Sequence, residues 1–264
     1  MVLMKQQWRS DRWTIFTWGV IVAFLTWMLD GLYHVLDQTG TLAEFEQLMK
    51  SMPPVAQALL RGEGLSLYGT FVASMEYGGV MSIVFMIFVA TYVPGLISKE
   101  IDQRSTEFLL ALPVKRRSVI GLRWLGLVLA LSILAACQWI ALVIVTGAAA
   151  QPSRYLVASL NMLLVYVATG TLLLLVSVFV DDYSKATGAC AGIVTFLFFY
   201  NAMTETATGF LSTVRKALPF ARFDPSSIIT KGEVPGANMA ILAAGTVVLL
   251  YLVVTVFDAK QVPG

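Results

Sequence analysis

Charge is what this chain most lacks. Aspartate, glutamate, lysine and arginine make up 13% of its 264 residues, against about 25% in a soluble domain. Too few polar side chains remain to cover a surface facing water, so the chain reads as an integral membrane protein. Its net charge of +2 is too small to argue for a nucleic-acid partner. Histidine occurs once, at His34, which excludes a paired-histidine zinc site of the HExxH kind. Cysteine occurs twice, at Cys137 and Cys190. Both lie in apolar runs without a CxxC pair, so they read as inert thiols that identify neither a metal nor a compartment. No Gly-Lys pair occurs anywhere. The phosphate loop G-x-x-x-x-G-K-[ST] is therefore missing, and the chain carries no nucleotide-hydrolysing motif of its own. The G-x-S-x-G nucleophile elbow is also absent. Asp181 and Asp182 are adjacent and cannot face each other as a catalytic carboxylate pair; they read instead as a cap for the helix that follows. An intramembrane enzyme is thus the weakest of the readings open here.

What the chain has in abundance is long apolar runs. A helix needs about 20 apolar residues to cross the hydrocarbon core. Runs of that kind lie near Trp13–Leu36, Thr70–Ile97, Val119–Ala148, Leu156–Val180, Ala186–Ala202 and Met239–Phe257. They are continuous rather than alternating, which favours helices over a β-barrel. The predicted fold is all-α, six membrane helices in one domain over residues 1–264. The first run is about twice the length of a signal-peptide core and no small-x-small cleavage site follows it, so it is expected to remain as a span. Ahead of it, Val2, Leu3, Met4 and Trp8 alternate with Lys5, Arg9 and Arg12, as in an amphipathic helix lying flat at the interface.

Basic residues set the expected orientation. With the N-terminus inside, the inner segments hold Lys5, Arg9, Arg12, Lys99, Arg104, Lys115, Arg116, Arg117, Lys185, Lys260 and the nearby Arg123, eleven of the 18 lysines and arginines. The outer ones hold Lys50, Arg61, Arg154, Arg215, Lys216, Arg222 and Lys231, the other seven. Both termini are therefore expected to be cytoplasmic, in a plasma or inner membrane. Of the two long outer segments, the first holds a helix at Leu42–Met52 stopped by Pro53-Pro54. A second helix is expected through Arg61. In the other, Phe210, Leu211, Val214, Leu218, Phe220 and Phe223 suggest short helices at the outer leaflet, or a loop packed on the bundle.

One polar segment between the second and third spans stands apart. From Lys99 to Leu112 a helical reading puts Ile101, Phe108, Leu109 and Leu112 on one face, with charges mostly on the others. Pro113 ends it and Lys115-Arg116-Arg117 leads back to the membrane. Glu100, then Arg104-Ser105-Thr106-Glu107-Phe108-Leu109-Leu110, then Leu112-Pro113-Val114-Lys115-Arg116 resembles the cytoplasmic loop of ABC-2 type transporter permease subunits. The six-span order, the basic N-terminal helix, the short Asp181–Lys185 turn and the long outer loop before the last span extend the resemblance over essentially the whole chain. Gln103 departs from the Lys or Gly that many members carry nearby.

The resemblance implies a permease subunit of an ATP-driven exporter, its loop a coupling helix seated in a separate ABC ATPase. Glu100, Arg104, Thr106, Glu107 and Phe108 would be the contacts. ATP and magnesium would be bound by the partner, leaving this chain without a cofactor. A second permease subunit, a copy or a paralogue, would complete the assembly. The alternative is an ATPase-coupled scaffold, signalling or assembly component that moves no cargo.

Ionisable and amide side chains in the spans are functional candidates by default. Asp30 and Glu76 fall toward the outer ends of the first two spans, where they either line a pathway or reach water at the boundary. Asn161 and Asn201 are pathway candidates that helix-to-helix hydrogen bonding explains equally well. Gly188 and Gly192, spaced G-x-x-x-G among Ala189, Cys190 and Ala191, would let another helix approach closely. In the resembled family, the first and fifth spans form the contact between the two permease halves. Gly78-Gly79 and Pro94-Gly95 are expected bends in the second span.

Overall fold

The computed structural model describes residues 2–53, 67–102, 116–147, 151–204 and 208–259, without the side chains of 2–10, 49, 99–102 and 116. Helix α1 spans Val2–Gln38 and α2 spans Leu42–Ser51. Helix α3 is one continuous element of three parts: Tyr68–Phe71, a π-helical stretch Val72–Val80, and Met81–Asp102. Then follow α4 (Arg116–Thr146), α5 (Pro152–Phe179), α6 (Tyr183–Met203), α7 (Phe210–Ala217) and α8 (Gly236–Ala259). A 3₁₀ turn, Pro219–Arg222, and a π turn, Ser227–Lys231, connect the last two. All described regular structure is helical, and six helices (α1, α3, α4, α5, α6 and α8) are long and apolar enough to cross a membrane.

The helix ends follow local chemistry. Pro152 opens α5, where its missing N–H costs nothing and its fixed φ suits the first turn. Asp182 caps α6 by accepting the Lys185 amide at 2.8 Å. Helix α1 differs from the expected flat interfacial segment, because it runs unbroken from Val2 into the span. No proline or glycine lies between Val2 and Trp18, so nothing in the backbone separates an interfacial piece from the rest. Helix α2 fits the predicted Leu42–Met52 within a residue. The expected helix through Arg61 lies outside the described residues.

Helices α3 and α5 form the interior. About 72% and 67% of their apolar windows are buried, against 22–33% for the other four spans. Helix α5 touches α3, α4, α6 and α8, whereas α1 lies at the edge, mainly on α4. Two ends of the bundle can be told apart by side-chain ties. At the end holding the chain termini, Tyr92 donates to Asp11 at 2.7 Å and Arg117 pairs with Asp258 at 2.9 Å. At the far end, Trp139 donates to the Pro152 carbonyl at 3.0 Å. There Arg154 also reaches the Ile229 and Thr230 carbonyls at 3.0 and 3.3 Å. This pins the π turn, which closes at Gly232 with φ +74° against the Arg154 guanidinium.

Buried polar contacts bind the central pair. The Tyr77 hydroxyl lies 2.8 Å from Ser159 Oγ and donates to the Tyr155 carbonyl at 3.1 Å. Tyr166 donates back to the Ser82 carbonyl, and Ser98 donates to the Ser177 carbonyl at 3.1 Å. Apolar packing is tightest at Gly170 of α5. A Cβ there would stand 2.9 Å from Leu127 Cδ2 and 3.4 Å from Val89 Cγ1. Gly170→Val is expected to destabilise the bundle by about 1–3 kcal/mol through overpacking, read as a lower thermal unfolding midpoint in detergent, with Gly121→Val, which meets open space, as the control.

Candidate functional site

The loop predicted as a coupling helix falls largely outside the described residues: Arg104, Thr106, Glu107 and Phe108 all do. Glu100 belongs to the last turn of α3, without a described side chain. What is described is how the loop is launched. The apolar span of α3 ends at Ser98, yet the helix continues through Asp102, about one further turn. It passes Pro94 and Gly95 without ending. Helix α4 then begins at Arg116. Arg117 pairs with Asp258 at the end of α8, which ties the first turn of α4 to the last span.

In the far half of the bundle, the remaining candidates gather around the π-helical stretch. Every residue from Val72 to Gly79 is buried. A π turn carries one more residue than an α turn, and such turns concentrate where helices serve a function. At its middle sits Glu76, 2% exposed. Thr26 of α1 donates to Glu76 Oε1 at 3.0 Å. From α4, the fully buried Gln138 amide acts on the same carboxyl but falls short of a well-formed hydrogen bond, and its polar atoms have no other partner among the described residues. Glu76 thus stands at a junction of three helices. Of the two earlier readings, hydration at the outer boundary fails for this residue: the π stretch surrounds it with protein.

Asp30 lies one turn further along α1 and its side chain is 12% exposed. It accepts the Tyr68 hydroxyl at 2.6 Å and faces His34 Nε2 at 3.6 Å. Tyr33, Tyr68 and Phe71 pack their rings together beside it. Asp30 and Glu76 also interact electrostatically. Asn161 is fully buried and neither amide atom finds a partner among the described residues. Asn201 is drawn elsewhere: its Oδ1 accepts Arg215 Nε of α7 at 3.1 Å. Asn201 thus ties α7 to α6.

Gly188 and Gly192 are exposed on α6, and a Cβ at either would meet open space. No described helix of this chain fills that face. Helix α1 offers a comparable bare face, with Trp13, Phe16, Val20, Phe24 and Trp27 between 52% and 66% exposed. Its other face buries Ile15, Val22 and Leu29. No group of three or more metal-ligating side chains occurs among the described residues.

Sequence reading missed Thr26, Tyr68 and Gln138. Gln138 did carry a signal, as the one amide in the largely apolar stretch from Val128 to Val145. Thr26 and Tyr68 carried none, because hydroxyls are common in spans.

A six-span helical membrane protein whose innermost helix is extended into a polar loop is the class that this architecture defines. The sequence profile described as ABC-2 family transporter protein matches residues 4–262, nearly the whole chain. The chain belongs to the ABC-2 transporter family. Comparison with curated proteins finds no match. Membership makes this chain a multi-pass membrane component rather than an ATPase, and it implies an ABC ATPase as partner.

Replacing Tyr68 by Phe removes the hydrogen bond to the Asp30 carboxyl. The expected cost is about 1.5–3 kcal/mol, measured by thermal unfolding. A combined Tyr68→Phe, Asp30→Asn variant should cost less than the sum of the two single changes, because they share one bond.

Proposed function

We propose that this chain is the permease subunit of an ATP-driven exporter, coupling ATP hydrolysis in a separate subunit to movement of a substrate across the membrane. The observation that carries this reading is the extension of α3 beyond its apolar span, past Ser98 to Asp102, in a chain of this family. A rigid helix that begins beside the buried junction and ends in the loop can pass a push at the loop to the bundle interior as rigid-body motion. The end bearing the termini is taken as cytoplasmic, in keeping with its share of basic residues. Glu100, Arg104, Thr106, Glu107 and Phe108 are the proposed contacts to the ATPase. ATP and magnesium are bound there, and this chain supplies no ligand to them.

The second permease subunit, a copy or a paralogue, is proposed to sit against the bare faces of α1 and α6. The exposed Gly188 and Gly192 would allow close backbone approach. A substrate route would then run between the two halves. A second reading has one observation in its favour. Glu76 and Asn161 lie inside a single bundle rather than on the exposed faces of α1 and α6. A seam lined this way is apolar, as suits either an apolar cargo or an ATPase-driven membrane device that moves none.

Two experiments test the assembly. Wild type and Glu107→Arg are purified in mild detergent from cells expressing the ABC ATPase. Wild type is expected to bring the ATPase with it, and the variant, still folded, is expected to lose it. Failure of the wild type to retain any ATPase would remove the energy source from this reading. In native mass measurements, Gly188→Leu combined with Gly192→Leu is expected to shift the membrane part from two permease chains to one.

A further inference from the structure

The junction around Glu76 carries more than the transporter reading uses. A carboxyl that is 2% exposed in a membrane helix has to be matched by its neighbours, since charge there is expensive unless it is paired. The groups acting on Glu76 are Thr26 and Asp30 from α1, Gln138 from α4, Tyr68 and Tyr77 from α3 itself, and Tyr155 from α5. The titratable ones among them are all acids. None supplies the positive charge that would hold a carboxylate in place.

Gln138 is the second sign. Its amide is fully buried, meets the Glu76 carboxyl without a well-formed hydrogen bond, and has no other partner among the described residues. An amide can serve a carboxyl in either protonation state. Its oxygen accepts from the neutral acid's O–H, and its N–H donates to the carboxylate. Thr26 keeps its donation to Oε1 in both.

We infer that Glu76, with Gln138 and Thr26, forms an intramembrane proton-binding site at the α1–α3–α4 junction. In the closed bundle the proton sits on the Glu76 carboxyl and points to the Gln138 oxygen. It leaves to water when the junction parts and returns from water when it closes, one proton per chain. Helix α1 rests mainly on α4 and meets α3 lightly. The α1–α3 contact is therefore the one that can part at this junction without disturbing the α3–α5 core. The site is defined by this chain alone, so its test is independent of the ATPase and of any cargo.

Infrared spectra of the full chain in lipid nanodiscs, in heavy water, give the test. The wild-type minus Glu76→Gln difference is expected to show the carbonyl band of a neutral carboxylic acid, present at mildly acidic pH and lost as the pH is raised. Its loss should be matched by carboxylate bands and by release of one proton per chain. Thr26→Val, which leaves Glu76 in place, is expected to move the band to higher frequency because the carbonyl loses its donor. That variant assigns the band even if Glu76→Gln folds poorly. Carboxylate bands alone at every pH, with or without dependence on sodium or potassium, would overturn the proposal in favour of a bound cation or an ionised structural group. A neutral-acid band unchanged across the whole pH range would also overturn it, leaving a permanently protonated packing residue.

Discussion

The rest of the bundle depends on how α3 and α5 are joined in the absence of water. Between lipid-facing helices there is no hydrophobic driving force to bring apolar surfaces together, because lipid is as apolar as leucine. Close packing and hydrogen bonds have to do the joining. Here the Tyr77 hydroxyl, shared between Ser159 and the Tyr155 carbonyl, fixes the two helices at one level. The Tyr166 bond to the Ser82 carbonyl fixes them at a second, and Ser98 with Ser177 fixes them near the terminal end. The close approach at Gly170 then brings α4 against the pair. With that core set, α6 and α8 have a surface to pack on and α1 is held at the edge.

The same tie explains where the polar junction can sit. A π-helical stretch shifts side chains out of the α register, so Glu76 and Tyr77 are both enclosed although they are neighbours in sequence. Tyr77 faces α5 while Glu76 meets α1 and α4. One residue joins the central pair of helices and its neighbour meets α1, which packs lightly on α3. Both contacts are made within a single helical turn.

Much of the fold was legible in the sequence, because the lipid environment leaves few options for the backbone. Continuous apolar runs placed all six spans, and Asp182 marked the start of α6 as a capping residue should. The N-terminal segment read as a separate flat helix is continuous with α1. Amphipathic composition alone does not break a helix when neither proline nor glycine interrupts it. The site was legible only in part. Glu76 and Asp30 were conspicuous as charges in apolar surroundings, yet their depth was not. Gly78 and Gly79 hinted at an irregular helix without saying that it would be π-helical and enclosed. Asn201 looked equivalent to Asn161 until Arg215, 14 residues away on α7, claimed it. Such pairings are set by tertiary contact, which a single sequence does not display.

The interior helices have a consequence for how the protein is made. Helices α3 and α5 end up enclosed by protein, yet their mean hydropathies of 2.2 and 2.3 nearly match the 2.5 of α4 and α8, which keep most of their surface outside. Enclosure by itself would permit a more polar centre. During biosynthesis each span must first enter lipid, and an acidic side chain within a span costs up to about 2.5–3.5 kcal/mol on insertion scales, the limit holding at the helix centre. The apolar residues around Glu76 offset that cost at the moment of insertion. The composition of the centre is therefore set by its passage through the translocon as much as by its place in the finished bundle.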